Sequence, residues 1–273
     1  MGGNKIVRML GIGADLWHVT AMTATATDIG VSAERRARLP AVDLARGIAI
    51  VGMAIYHFSW DLTYFGLAGF DLLGHPFWLG FRAVVLSTFL LLVGISHVLA
   101  QRRGLAARPF LRRLLLIAAS AAAITAASYV AFPQTYIFFG VLHCIALSSV
   151  LLLAVARLPS AAVAAVAVAC LAAPGLVAAP LLDHPWLVWL GLATWTPASN
   201  DFVPLLPWFG MVAAGVFLGR ALVARQMVQR WHWQGPSSAA LQWAGRHSLI
   251  IYLLHQPLLF GSLYAVVALA GST

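Results

Sequence analysis

The sequence predicts an all-α membrane protein, a polytopic bundle of about seven transmembrane helices with its N-terminus in the cytoplasm. Three observations carry that reading. Of 273 residues, 62% are hydrophobic and only 9% charged. A soluble domain carries about 25% charged residues, so a surface this poor in charge faces lipid. Seven apolar runs follow one another, each long enough to cross a bilayer at about 20 residues. The basic residues fall on one side only of the resulting alternation, which fixes direction.

Residues 1–39 stand apart from the rest. They are rich in Ala, Thr and Gly, are broken by Asp15 and His18, and close on Glu34, Arg35, Arg36 and Arg38. Lacking a continuous apolar core, they make a poor signal peptide and read as a flexible cytoplasmic tail. The membrane domain then occupies 40–273, with spans expected near 43–65, 77–100, 112–132, 136–156, 160–182, 204–224 and 248–270. The stretch from Trp186 to Trp195 is too short to span and suits the head-group level. Arg102, Arg103, Arg108, Arg112 and Arg113 follow the second run, Arg157 follows the fourth, and Arg220, Arg225, Arg230 and Arg246 lie at or between the facing ends of the last two. Seven spans put all of them inside. The outer loops contain no Lys or Arg and carry Asp71, Asp183 and Asp201, with Asp61 close by.

The net charge of +9 therefore reads as topology signal and contact with anionic lipid, not as a nucleic-acid surface. Cys144 and Cys170 sit inside apolar runs without a CxxC pairing, so inert buried thiols are expected and a metal site is not.

Ionisable groups inside a bilayer are costly and mark function by default. The first span reads AVDLARGIAIVGMAIYHFSWDL. At about 100° per residue, Asp43, Arg46, His57 and Asp61 share one narrow stripe, with His57 about 16 Å further out than Arg46. Asp43 and Arg46 are spaced to pair at i,i+3 near the inner end. Asp61 and His57, at i,i+4, are spaced either for a core hydrogen bond or for a carboxylate orienting a general base. Arg82 in span two, His143 in span four and His255 with Gln256 in span seven add further intramembrane polar groups, each as suited to packing as to substrate binding. His75 lies in the first outer loop, either as a surface residue or as a second catalytic group at the mouth. His97 and His247, at inner ends, read as interfacial. Asp201, just before PLLPWFG, suits a helix N-terminus.

These residues carry a resemblance. DLARGIAIVGMAIYH resembles the first span of the transmembrane acyltransferase superfamily, in which an arginine and a histidine are separated by ten residues, as Arg46 and His57 are. YIFFGVLHCIALSS, DFVPLLPWFG and GRHSLIIYLLHQPLL look like recurring segments of the bacterial membrane family related to the catalytic domain of heparan-alpha-glucosaminide N-acetyltransferase. The resemblance spans roughly 40–270. It implies a bacterial cytoplasmic membrane, acetyl-CoA as donor on the inner side, and an amino sugar or other glycan as acceptor on the outer side. It implicates a histidine of the first outer loop near an HxxW segment, which His75 and Trp78 match. At the position of His57 the lysosomal relatives carry asparagine.

The expected chemistry is therefore acyl transfer. Arg46 and inner arginines would hold donor phosphates, and His57 with Asp61, or His75, would deprotonate the acceptor. Arg82 or His143 would serve the oxyanion, with Asp201, His255 and Gln256 lining the path. The partners are acyl-CoA, the glycan acceptor and membrane lipid, without metal, haem or nucleic acid; a homodimer is compatible with the sequence. The alternative is a proton-coupled small-solute transporter using the same His, Asp and Arg residues. A b-type haem protein is a third reading, which needs two histidines facing one haem from opposing helices.

Overall fold

The structure, a computed structural model, describes residues 39–225 and 235–270. The tail expected over 1–39 thus lies, Leu39 apart, outside the described residues. Among these residues there are eight α-helices and no strand: α1 Pro40–Tyr64, α2 Pro76–Arg102, α3 Ala107–Ala131, α4 Val141–Val155, α5 Ser160–Val177, α6 Leu205–Ala224, α7 Pro236–Arg246 and α8 Ser248–Ala270. Two 3-10 turns, Pro180–Leu182 and Val188–Leu190, lie in the long connection between α5 and α6. Gly191, at φ 84°, closes the second turn where a Cβ would collide with the Leu206 carbonyl.

The polytopic helical bundle is as the hydropathy predicts. Six helices (α1, α2, α3, α5, α6 and α8) are long and apolar enough to cross a membrane. The fourth run needs correction. It is helical only over Val141–Val155, and its 15 residues reach about 22 Å at the usual helical rise. The hydrocarbon is about 30 Å thick. The missing depth is covered by the non-helical segment before it, whose backbone is bonded to protein. Ser128 Oγ accepts from the Ile137 N–H at 3.0 Å, and the Ile137 carbonyl accepts from Thr125 Oγ1 at 2.7 Å. The carbonyls of Thr135 and Phe139 accept from the N–H groups of Asn200 and Val203. Irregular backbone is tolerated at membrane depth only when satisfied in this way. At the other end of α4, Arg220 donates to the carbonyls of Ala156 and Leu158, both at 2.8 Å, and to Ser160 Oγ. The guanidinium serves acceptors that a helix C-terminus leaves orphaned.

The second correction is α7, which lies inside the stretch 225–247 expected as loop. Pro236 occupies its first turn and Gln242 donates to Ser238 at 2.8 Å. The helix is fixed by contact with α1: a Cβ on Gly47 would strike the Leu241 carbonyl, and one on Gly245 would strike that of Asp43. The same device joins α2 to α6, where Gly94 meets the Val212 carbonyl and Gly215 that of Leu91. Small residues let helix backbones touch, which is how bundles gain packing energy when lipid removes the hydrophobic drive.

The main core gathers Leu86 and Leu90 of α2, Cys144 and Leu152 of α4, Val163 of α5, and Val212 and Val216 of α6. In contrast, α8 has no fully buried residue and packs chiefly on α1. The rings of Tyr64, Phe132 and Phe260 meet at one end of the bundle. This end, with the loops bearing Asp71, Asp183 and Asp201, is the acidic end. The opposite end, with Arg102, Arg157 and Arg220, is the basic end.

Candidate active site

The polar stripe of α1 divides into two. Near the basic end Arg46 pairs with Asp43 at 3.2 Å, as the i,i+3 spacing predicts, and donates to Ser96 Oγ of α2 at 3.0 Å. Towards the acidic end the stripe meets α8, where Tyr252, His255 and Gln256 recur at i, i+3 and i+4 and so share a face. The rings of His57 and His255 touch edge to face, 4.9 Å between centroids. Gln256 Nε2 donates to Asp61 Oδ1 at 2.6 Å.

Asp61 does not hydrogen-bond His57. The carboxyl is wholly buried, and an amide from another helix occupies it where the spacing along α1 suggests the imidazole. His57 instead packs on His255 and on the ring of Tyr56, which contacts Trp78.

One tautomer follows from the geometry of His255. Its Nδ1 lies 2.7 Å from the Tyr252 carbonyl. A carbonyl only accepts, so Nδ1 carries the proton and Nε2 the lone pair. That Nε2 is buried without a partner, as are Asp61 Oδ2 and Gln256 Oε1. Each such atom costs about 1–3 kcal/mol when left unmet. Asp61, His255 and Gln256 thus leave hydrogen-bonding capacity that a polar ligand would satisfy.

A second polar group closes the acidic end beside the first. Asp201 Oδ2 accepts from the Val141 N–H at 3.1 Å and from the Tyr252 hydroxyl at 3.5 Å. Burial pushes the Asp201 carboxyl above its ordinary value, opposed by the Val141 N–H, by the charge of Arg82, by His143 and by Tyr252. His143 accepts from the Gly140 N–H at Nδ1, 3.2 Å, so Nε2 carries the proton towards Thr125 Oγ1 at 3.3 Å. Thr125 in turn donates to the Ile137 carbonyl. Both nitrogens of His143 are thus engaged in holding the turn before α4. Arg82 donates to the Phe202 carbonyl at 3.2 Å. The cleft that His143, Asp201 and Tyr252 form with Ala121 and Ile124 is too narrow for a water molecule.

His75 stands outside both groups. It is exposed, precedes α2 as its N-cap, and accepts from the Phe77 N–H at Nδ1, 3.2 Å. Trp78, three residues on, reaches Tyr56, so the HxxW turn adjoins the His57 neighbourhood without placing His75 in it. His97, expected as interfacial, is instead buried.

Tyr252 and Thr125 were not singled out by the sequence. Tyr252 had a signal, since it lies one turn before His255 on the same face. Thr125 had none, because its role depends on a turn twelve residues away.

A family model described as heparan-alpha-glucosaminide N-acetyltransferase, catalytic, matches residues 38–257. The chain belongs to this family. Neither a curated protein nor a solved structure matches it. The family match begins just before α1 and ends one residue beyond Gln256, so both polar groups lie inside it. The chain is therefore an integral membrane protein of an acetyltransferase family.

Proposed function

We propose that the protein transfers an acetyl or related acyl group from acyl-CoA, bound from the basic end, to an amine or hydroxyl of a glycan or amino sugar presented at the acidic end. The observation that carries this reading is the histidine pair, His57 and His255 on facing helices, in which His255 Nε2 is buried without a partner, as are Asp61 Oδ2 and Gln256 Oε1. His255 Nε2 is the proton acceptor. The acceptor's N–H or O–H gives its proton to this nitrogen, its lone pair attacks the thioester carbonyl, the C–S bond breaks, and the protonated His255 returns that proton to the departing sulfur, so that coenzyme A leaves as the thiol. His57 packs against the ring of His255 and fixes its position. The Asp61–Gln256 pair orients the acceptor through the two free oxygens. The arginine asymmetry supports the sidedness, since basic loops stay in the cytoplasm.

Membranes carrying the protein, given labelled acetyl-CoA and cell-envelope glycans, should label a glycan. His255→Ala should lower the rate by about a hundredfold to ten-thousandfold, the usual worth of a general base. Solute flux driven by a proton gradient, with no label transferred, would overturn the enzyme reading in favour of a carrier.

A further inference from the structure

His255 Nε2, Asp61 Oδ2 and Gln256 Oε1 are buried without partners, and a lone pair, a carboxylate oxygen and an amide carbonyl are all acceptors. None of them answers the negative charge that collects on a thioester oxygen when its carbonyl is attacked. Away from water such a charge is stabilised by donors already in place, often the largest single contribution to the rate. Arg82 of α2 is half-buried and lies one turn before the core residue Leu86, on the inward face of its helix. One of its several N–H groups donates to the Phe202 carbonyl at 3.2 Å. Among the described residues the guanidinium has no other hydrogen bond and no ion pair. Tyr56 of α1 is also half-buried, and its hydroxyl has no hydrogen bond among the described residues.

Packing brings these two together. The ring of Tyr56 meets that of Trp78, one turn before Arg82, with centroids 6.1 Å apart. Gly52, one turn before Tyr56, faces Phe81 and Val85, which flank Arg82 along α2. The charge of Arg82 accordingly reaches Tyr56 and His57. Arg82 thus stands between the levels of Gly52 and Tyr56, about 5 Å deeper than His57 at the helical rise. On its other side, Phe202 adjoins Asp201, which accepts from Tyr252, one turn deeper than His255. A thioester arriving from the basic end meets this level just before it meets the histidines.

We infer that Arg82 and Tyr56 form the oxyanion site, an Arg82 N–H and the Tyr56 O–H donating to the thioester oxygen as the acceptor's lone pair adds to the carbonyl carbon. Both keep their protons throughout. When the C–S bond breaks the carbonyl re-forms, and the proton that leaves with coenzyme A is the one His255 held. This role rests on the acetyltransferase reading of the site.

The test uses the full chain in lipid nanodiscs, with acetyl-CoA labelled with carbon-13 at the thioester carbonyl. The infrared C=O stretch of the bound donor should lie lower in wild type than in Tyr56→Phe or Arg82→Gln, at similar donor affinity. In the glycan-labelling assay each substitution should lower kcat about a hundred- to a thousandfold, the usual cost of one oxyanion donor. KM for acetyl-CoA should stay near wild type, since the interaction is made chiefly in the transition state. Arg82→Lys should fall between wild type and Arg82→Gln, keeping the charge without the planar fork. Tyr56→Phe retains the ring against Trp78, so the test survives if the Arg82 variants, which lose the bond to Phe202, fail to fold. Wild-type kcat in Tyr56→Phe, or a loss confined to KM, overturns the oxyanion site and leaves acyl transfer standing. Where wild type binds acetyl-CoA but transfers no label, the stretch decides: equal frequencies in wild type and Tyr56→Phe overturn the site. A wild type that neither binds nor transfers strikes the acetyltransferase reading, and the oxyanion site with it.

Discussion

A half-buried carboxyl that caps a helix is pulled two ways, and Asp201 shows both. Its Oδ2 meets the Val141 N–H, an orphan donor of the first turn of α4, and the Tyr252 hydroxyl. Burial outweighs these partners and raises its pKa. The folded state therefore holds a proton that the unfolded state has released between the ordinary carboxylate value and the raised one, and stability falls as pH rises through that window. Asp201→Asn keeps an acceptor oxygen without the charge. Its melting midpoint should gain on wild type as pH rises across the window, and parallel pH profiles would contradict this. Asp201→Ala loses the acceptor and should cost about 1–3 kcal/mol at any pH. His75 is decided by a similar choice of side chain. Serine preserves the N-cap acceptor of α2 and removes the imidazole. With the base on α8, His75→Ser should retain both fold and most acyl transfer. A rate loss comparable to that of His255→Ala would move the base to His75, where the family resemblance implicates it. The sequence made His57, His255 and Gln256 visible, because polar groups are rare in these spans. It could not show that Asp61 binds Gln256, since that bond joins residues 195 positions apart and depends on how α8 lies against α1.

Helix contacts in this protein are set by glycine rather than by large side chains, and this gives the elements a sharp sensitivity. Gly94 and Gly80 both lie in α2, yet a Cβ on Gly94 would strike the Val212 carbonyl while one on Gly80 meets nothing within 4 Å. Gly94→Ala should therefore destabilise by about 1–3 kcal/mol through overpacking against α6. Gly80→Ala should be neutral or stabilising, because alanine is the better helix former. Thermal unfolding in detergent compares the two, and equal midpoints would show that α2 and α6 are not so closely apposed. Hydropathy located six long helices to within a few residues, because lipid demands long apolar runs. It failed where another principle took over. The start of α4 was read as helix because its residues are apolar, but bonds from Ser128, Thr125, Asn200 and Val203 hold them in turns and bends. The helix α7 went unseen because its polar, serine-bearing face does not register as a span. Its place is fixed by Gly47 and Gly245 touching backbone on α1 and α7, a close approach that no periodicity announces.

For the molecule as a whole, direction in the membrane follows from charge. Arg220 and Arg102 lie at the end opposite the ring cluster of Tyr64, Phe132 and Phe260. Each lysine or arginine held back during insertion acts in short loops, while aspartate contributes little to orientation. The basic end should then be cytoplasmic and the acidic end external, an arrangement on which a cytoplasmic donor and an outer acceptor both depend. Two exposed positions separate the outcomes. Leu73, 76% exposed in the loop after α1, belongs to the acidic end, and Gln101, near the close of α2, to the basic end. The free thiols of Cys144 and Cys170 are first removed by substitution to alanine. A thiol at Leu73 should react with a membrane-impermeant maleimide in intact cells, and one at Gln101 only after permeabilisation. The reverse pattern would turn the bundle over. It would put Arg46 and the arginine-bearing loops outside, away from any cytosolic acyl-CoA, and with them the direction of transfer would fall. Reaction at both positions in intact cells would break the alternation itself. It would mean that the segment between Leu73 and Gln101 does not cross, although α2 runs for 27 residues of unbroken helix, about 40 Å at the usual rise.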